Sequence, residues 1–440
     1  MALVICALIG MVMGIAVWVN PRIFIAMLLI AAVAVEVIHH WYGGIGQYFP
    51  WVFVFLAGVL QMGMRGWKKW WQFLDNHFNW MFVFVLYFLG MVVSTFMGIH
   101  LSTSIRYVLG VPAVLLVSVV IIPWSLHNRL TSLTAILRVI ALTGLIVDIA
   151  GGVAAIAYHT GFPVPVGHHI LLAWQWPFAN KNTFGMLLTF SLPTAFYLAL
   201  DQRENTPTRV GWIIASILLL LGVALSYSRS SWIASLIGIV IFVTFYYGKK
   251  GFFSMLGVGV VLLGALIAKT GIHRWELLWS KGLNGRILLW KAGFKALQHH
   301  WIWGVGPGNS PLALEPFVPH IYVGLTPSDS ILRSAVELGI VGLLFWLIFI
   351  GVGMIGLLTR YPWRKSNWED NALFSVMLAS LAQQMVESIL IGGVSFGDFF
   401  FTMLLGIAWY RVWVLPKNRS LGRESYLSRS NSRRISSRRL

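Results

Sequence analysis

The amino-acid sequence predicts an all-α, polytopic membrane protein, and three observations carry that prediction. Of 440 residues, 58% are hydrophobic and 10% charged, with a mean hydropathy of +0.78, so too little charge exists to cover a water-soluble body. The apolar residues fall into runs of about 20, the length a helix needs to cross about 30 Å of hydrocarbon while pairing its own backbone. Lys and Arg crowd into alternate short connections, which is the asymmetry that orients membrane helices.

In chain order the apolar runs cover residues 2–19, 22–38, 48–64, 80–98, 107–124, 134–157, 183–200, 210–227, 231–247, 251–268, 331–358, 371–391 and 396–415. The count is twelve or thirteen spans, because only Asn20-Pro21 divides the first pair. The first run has no basic leader and no small-residue cleavage pattern, so it reads as a retained helix. Its Cys6 is the single cysteine of the chain, which excludes a disulfide framework. One set of alternating loops holds Arg22, then Arg65, Lys68 and Lys69, then Arg129, Arg203 and Arg209, Lys249 and Lys250, and Arg360, Arg364 and Lys365. That set is assigned to the cytoplasm. Parity then sends Arg106, Lys181, Arg229 and the whole polar interval 269–329 to the extracytoplasmic side; long loops are exempt from the charge rule.

The domain reading is therefore a transmembrane body over 1–415, with the extracytoplasmic loop 269–329 inside it, and a basic, disordered cytoplasmic tail over 416–440. The tail carries eight Lys or Arg against Glu424 and suits an anionic lipid surface. A net charge of +18 does not argue for nucleic acid, because the cations sit in short loops, the polar interval and the tail. The bilayer is the partner this pattern implies.

Within the polar interval, Ile287, Trp290, Phe294, Leu297 and Trp301 recur at spacings of 3 and 4, predicting an amphipathic helix over 285–301 capped by Asn284. Arg286 then falls in its first turn, where helix N–H groups and a guanidinium together make a phosphate cradle. The same pattern also describes a helix lying on the membrane surface, with Arg286 on lipid headgroups. Lys291, Lys295 and Gln298 fall on a solvated face.

Other polar groups stand at the mouths of spans. Ser226-Tyr227-Ser228-Arg229-Ser230-Ser231-Trp232 is so short a connection that Arg229 lies at the membrane surface, marking either a site or a side chain reaching the headgroups. Asn180, Lys181 and Asn182 offer donors to sugar hydroxyls or phosphate, with helix capping by Asn182 as the alternative. The glycines of Trp303-Gly304-Val305-Gly306-Pro307-Gly308-Asn309 read as a tight turn. Ser328 and Asp329 stand at an apolar boundary, where the carboxylate can act as a general base or pair with an arginine. No metal-binding or nucleotide-binding motif occurs, so no cofactor and no metal site is expected, and His39-His40, His168-His169 and His299-His300 read as interface residues.

Taken in order, S-x-S-R-S-S-W, N-G-R-x-x-x-W, W-G-V-G-P-G-N and S-D-S-x-L leading to E-L-G-I-V-G resemble the O-antigen ligase and O-antigen polymerase superfamily, which includes teichuronic acid biosynthesis proteins. The resemblance covers about residues 176–345. It implies a GT-C-like, metal-independent glycosyltransferase of the plasma membrane that takes a glycan from undecaprenyl diphosphate on the outer face and passes it to a sugar or lipid-glycan acceptor. Other membrane proteins of polysaccharide assembly are implied as partners. Arg229 and Arg286 match the family arginines associated with the diphosphate, and two guanidinium forks suit a departing group that gathers negative charge. Ligases of the family carry His-Asn where this chain has Ser328-Asp329. The substitution leaves Asp329, or His320 from the preceding loop, as the base, and tilts the reading from ligase toward polymerase. A transporter of lipid-linked glycan or of a small anion is the rival class, for which only Glu36, Asp148, Glu387 and Asp398 lie deep within spans and without an obvious cationic partner. A non-catalytic scaffold is a third reading.

Overall fold

The computed structural model describes residues 2–42, 48–162, 164, 174–178, 180–257, 272–360, 368–388, 391–393 and 395–414. Among the described residues 84% are helical and none is in a strand. The helices are α1 (Ala2–Val19), α2 (Phe24–Tyr42), α3 (Phe49–Met97), α4 (Leu101–Leu115), α5 (Ile122–His127), α6 (Leu133–His159), α7 (Lys181–Leu200), α8 (Thr206–Leu225), α9 (Arg229–Tyr247), α10 (Ile272–His299), α11 (Ser310–Leu314), α12 (Ser330–Arg360), α13 (Trp368–Gln384) and α14 (Phe396–Trp413). A π-helical turn, Leu116–Ile121, carries α4 into α5. Among the described residues, seven helical stretches are long and apolar enough to cross a membrane and three apolar ones are shorter. This is an all-α, multi-pass membrane protein.

Two helices are apolar on every side and lie inside the bundle, as a helix without a polar face must. α7 packs against α6, α8, α9 and α13. Every residue of α14 from Phe396 to Tyr410 is buried, against α12, α2 and the π-turn. The outer helices instead turn large side chains outward: Ile146, Val153 and Ile156 on α6 and Ile213, Ile217 and Leu220 on α8 are all exposed. Such a surface suits lipid and not water.

Charge gathers at the two ends of α7, whose 20 residues span about 30 Å. Beyond its C-terminus, Arg203 bonds Asp201 at 2.8 Å and Glu369 at 3.2 Å; Glu369 also meets Arg411, which pairs with Asp370. At its N-terminus stand Lys181 and Asn182. α9 and α13 run alongside, so that Tyr246 of α9 meets Trp368 of α13 at the Arg203 end, with ring centroids 4.1 Å apart. Arg229 and the C-terminus of α13 therefore come to the Lys181 end.

Three expectations about elements are corrected. The runs 48–64 and 80–98 belong to one helix, α3, which leaves helical geometry only at Gly66 (φ −160°, ψ 25°). The intervening residues 65–79, with Arg, Lys, Gln, Asp and Asn among them, are polar enough to interrupt an apolar count, yet they include no proline to break the helix. Likewise α10 begins at Ile272, not at 285, so Asn284 is not an N-cap and Arg286 lies in mid-helix. The preceding Trp-Glu-Leu-Leu-Trp run favours helix strongly enough to carry it through Gly282, Asn284 and Gly285. α13 ends at Gln384, which leaves Glu387 outside the helix expected to reach 391. The run 251–268 and the tail 416–440 fall largely or wholly outside the described residues.

The polar interval is fastened to α12 at a break. Gly339 there has φ 68°, and a β-carbon on it would stand 2.1 Å from the carbonyl oxygen of Ile302. The turn 301–309 docks into that break: Ile340 N–H donates to the Trp301 carbonyl at 2.8 Å, and Val305 and Gly306 N–H donate to the Val336 and Glu337 carbonyls at 2.9 and 3.0 Å. The glycine-rich motif is thus a tight turn, with positive φ at Gly304, Gly306 and Gly308.

Candidate functional site

A cavity of about 430 Å³ opens at the Lys181 end of the bundle. Lys181 and Asn182 enter it from the first turn of α7, Arg229 and Ser230 from the first turn of α9, and Arg286 from the middle of α10. Ile233 and Ile237 of α9, with Ala382, Met385 and Val386 at the end of α13, make the rest of the wall apolar. One end of the cavity is cationic and the other suits hydrocarbon.

Local sequence explains each placement. Asn180 caps α7, its side chain accepting from Asn182 N–H at 2.9 Å, so the cap is Asn180 and not Asn182. At α9, Ser226 Oγ accepts from Ser228 N–H at 3.2 Å, and Ser228 Oγ stands 2.8 Å from Ser231 Oγ. The start of the helix is thereby fixed under Arg229. Gln383, fully buried on α13, donates to Ser230 and Ser231 at 3.1 and 3.2 Å and accepts from Thr189 of α7 at 3.4 Å. Gly185 lets α7 and α9 meet here, since a β-carbon on it would lie 2.3 Å from Ser231 Oγ. The serines around Arg229 are a buried brace. Because α7 and α9 both start at the cavity, their dipoles turn partial positive charge into it, in place of the helix start expected at Gly285.

Arg286 is held by a residue that sequence reasoning had placed elsewhere. Its Nη2 donates to Glu387 Oε1 at 2.9 Å, and Asn182 also hydrogen-bonds that carboxyl. Burial pushes the Glu387 carboxyl up to about 7, even with Arg286 and Asn182 acting in the opposite sense. Glu387 therefore has a cationic partner, contrary to the expectation that the deep acids lack one. The signal in the sequence was faint, because the apolar residues around Glu387 continue the pattern of a span.

Four candidates stand apart from the cavity wall, the first being Asn180, the cap of α7. Asp329 is used as a cap: its Oδ1 accepts from Leu332 N–H at 2.7 Å, and it does not line the cavity. Burial raises its carboxyl above the ordinary range, while bonds from Leu332 and Ile331 N–H oppose the rise. Ser328 takes a left-handed conformation, φ 54°, before that cap. His320 is exposed on a 3₁₀ turn, Tyr322 of which packs beside Gly285. Among the described residues, no group of three or more His, Cys, Asp or Glu is assembled for a metal.

Glu337 of the E-L-G motif is fully buried and accepts from Arg333 Nε at 2.9 Å, Ser310 Oγ at 2.6 Å and Gly308 N–H at 2.9 Å. Arg333 also donates to Tyr107 Oη at 2.6 Å. Asn309, at the end of the glycine turn, donates to Val305 O, Ser104 Oγ and His100 O. These two motifs form one buried knot tying α4, the glycine turn and α12.

No curated protein matches the chain. A family model described as O-antigen ligase matches residues 214–347, from within α8 to within α12, a stretch containing Arg229, Arg286 and Asp329. A role of the ligase or polymerase type in membrane glycan assembly, with glycosyltransferase-like activity, goes with that family. Over this segment the chain is similar to that family, which supports the O-antigen ligase and polymerase superfamily.

Proposed function

We propose that this protein transfers an oligosaccharide from undecaprenyl diphosphate to a sugar hydroxyl on the extracytoplasmic face of the plasma membrane. One observation carries the reading: Arg229 and Arg286, distant in the chain, line a single cavity together with Lys181 and the starts of α7 and α9. Three side-chain cations and two helix dipoles suit a diphosphate, and they can take up the charge that develops on it as the glycosidic bond breaks. The apolar wall of Ile233, Ile237, Met385 and Val386 suits the isoprenoid adjoining that diphosphate. In this reading the cations do the work without a metal, the body 1–415 is the transferase domain with the interval 269–329 as its outer cover, and the tail 416–440 lies on the cytoplasmic leaflet.

Ser328-Asp329, in place of the His-Asn of ligases, supports polymerisation of repeat units over ligation of a finished chain. Comparison of surface polymer and carrier-linked intermediates with and without the protein separates the two. Loss of a polymerase leaves single repeats on the carrier, whereas loss of a ligase leaves long chains there. In liposomes containing the purified protein and carrier-linked repeat units, transfer without ATP or an ion gradient is expected. Arg229→Ala and Arg286→Ala should each slow it by roughly a hundredfold or more, the scale of removing one preorganised donor from a developing oxyanion. Full transfer by both variants would exclude the reading, and movement of lipid without transfer would make the protein a transporter.

A further inference from the structure

Bonded to the cationic wall of the cavity is one carboxylate that the transfer described so far leaves idle. Glu387 bonds two residues of the cavity wall, Arg286 and Asn182, and sits on the turn that follows α13. That turn is fastened from the 326–333 segment at three points. Ser330 Oγ donates to the Glu387 carbonyl at 3.1 Å, Arg333 Nη1 donates to the Ser388 carbonyl at 3.3 Å, and Thr326 Oγ1 lies 2.8 Å from Ser388 Oγ. Arg333 is in turn anchored by Glu337 and Tyr107. A carboxylate on a non-helical turn, fixed this way and aimed at the cavity wall, has the preorganisation of a reacting group. Asp329 instead turns Oδ1 to the backbone of the first turn of α12 and does not reach the cavity wall.

We propose that Glu387 is the group that takes the proton from the acceptor's sugar hydroxyl, and that Thr326, Ser330 and Arg333 position it. The proposal rests on the glycosyl transfer set out above. In the step, the hydroxyl proton passes to a Glu387 carboxylate oxygen, and the freed oxygen pair forms the bond to the anomeric carbon of the donor. The bond from that carbon to the diphosphate breaks, and its electron pair departs with the phosphate, where Arg229, Arg286 and Lys181 meet the charge. The proton leaves Glu387 to water when the products separate. The Arg286 bond couples the two substrates: a donor diphosphate draws the guanidinium toward itself, and a carboxylate that loses its counter-charge binds a proton more readily. Burial already brings Glu387 up to about 7, close to the value at which a base is both ionised and effective near neutrality. The charged group bonded to it is Arg286 from α10; Lys181 from α7 and Arg229 from α9 line the same cavity wall as Arg286, and Arg333 from α12 bonds the carbonyl of the next residue, Ser388.

The test uses the full chain in liposomes with undecaprenyl diphosphate-linked repeat units recovered from cells lacking the protein. Glu387→Gln keeps the shape of the side chain and its hydrogen bonding. It should lower turnover by about a hundredfold or more, the contribution of a general base, while donor binding stays within about threefold. Asp329→Asn keeps a capping oxygen and should retain turnover within about threefold. The wild-type rate should fall as pH drops below about 7, where Glu387 takes up its proton, and the residual rate of Glu387→Gln should lack that limb. Glu387→Asp, which restores a carboxylate, should recover part of the rate. Turnover of Glu387→Gln within threefold of wild type, turnover and donor binding falling in step, or loss of turnover in Asp329→Asn alone would each overturn the assignment. If Arg229→Ala and Arg286→Ala abolish transfer while Glu387→Gln retains it, only the base is misassigned. Unimpaired arginine variants would instead remove the transfer itself.

Discussion

Glu337 shows how a residue can belong to a signature without touching a substrate. It sits with no exposure among Arg333, Ser310 and the N–H of Gly308, so its charge is matched by one guanidinium and two further donors. Glu337→Ala would leave Arg333 buried without its ion-pair partner and is expected to cost roughly 3–5 kcal/mol, the usual penalty for breaking a buried pair from one side. The measurement is thermal unfolding in detergent, and a melting temperature unchanged from wild type would show that water replaces the pair. At Arg229 the expectation concerns function. Arg229→Lys keeps the charge but loses the planar fork, so transfer should fall by about tenfold or more while the melting temperature stays the same. A lysine variant of full activity would show that charge alone is needed there.

Between elements, the contact that places Arg229 is the crossing of α7 and α9 at Gly185. Gly185→Ala drives a methyl into Ser231 Oγ and is expected to destabilise by about 1–3 kcal/mol, the range for overpacking a tight interface. The double variant Gly185→Ala, Ser231→Gly makes room again and should recover much of the loss; additive losses in that cycle would mean that the helices already have slack. This level also shows what the sequence could convey. Most apolar runs became helices at nearly the expected bounds, because a backbone in lipid has few alternatives to pairing within its own segment. Boundaries failed where helix continues beyond the apolar pattern. α3 passes through its Lys-rich middle and α10 through Asn284-Gly285, since hydropathy reports where lipid lies and local propensity decides where the helix stops. Arg286 was legible as a residue, but its setting in mid-helix was not, and the helix starts that face the cavity are those of α7 and α9.

At the scale of the whole molecule, the bonding of Arg286 to Glu387, 101 residues away, lay beyond reading. Nothing local marks a glutamate at the end of an apolar run as the partner of an arginine on another element; the packing of α10 on α12, and the bonds from 326–333 to the turn after α13, bring the two together. What sequence does carry at this scale is direction, through the alternation of Lys and Arg among the short loops. Bonding within the bundle puts Arg203, Glu369 and Arg411 about 30 Å from the Lys181 end, and the proposed orientation places the first end in the cytoplasm. The orientation is testable residue by residue, because the chain's single cysteine, Cys6, is buried and can be replaced by alanine to give a silent background. Lys250, exposed beyond the C-terminus of α9, and Lys291, exposed on α10 a little over one turn from Arg286, mark the two ends. In intact cells a membrane-impermeant maleimide should label Lys291→Cys and spare Lys250→Cys, and breaking the membrane should expose both. The reverse pattern would put the cationic cavity in the cytoplasm, on the wrong side for a donor presented at the outer face, and the proposed transfer would fail however well the cavity suited a diphosphate.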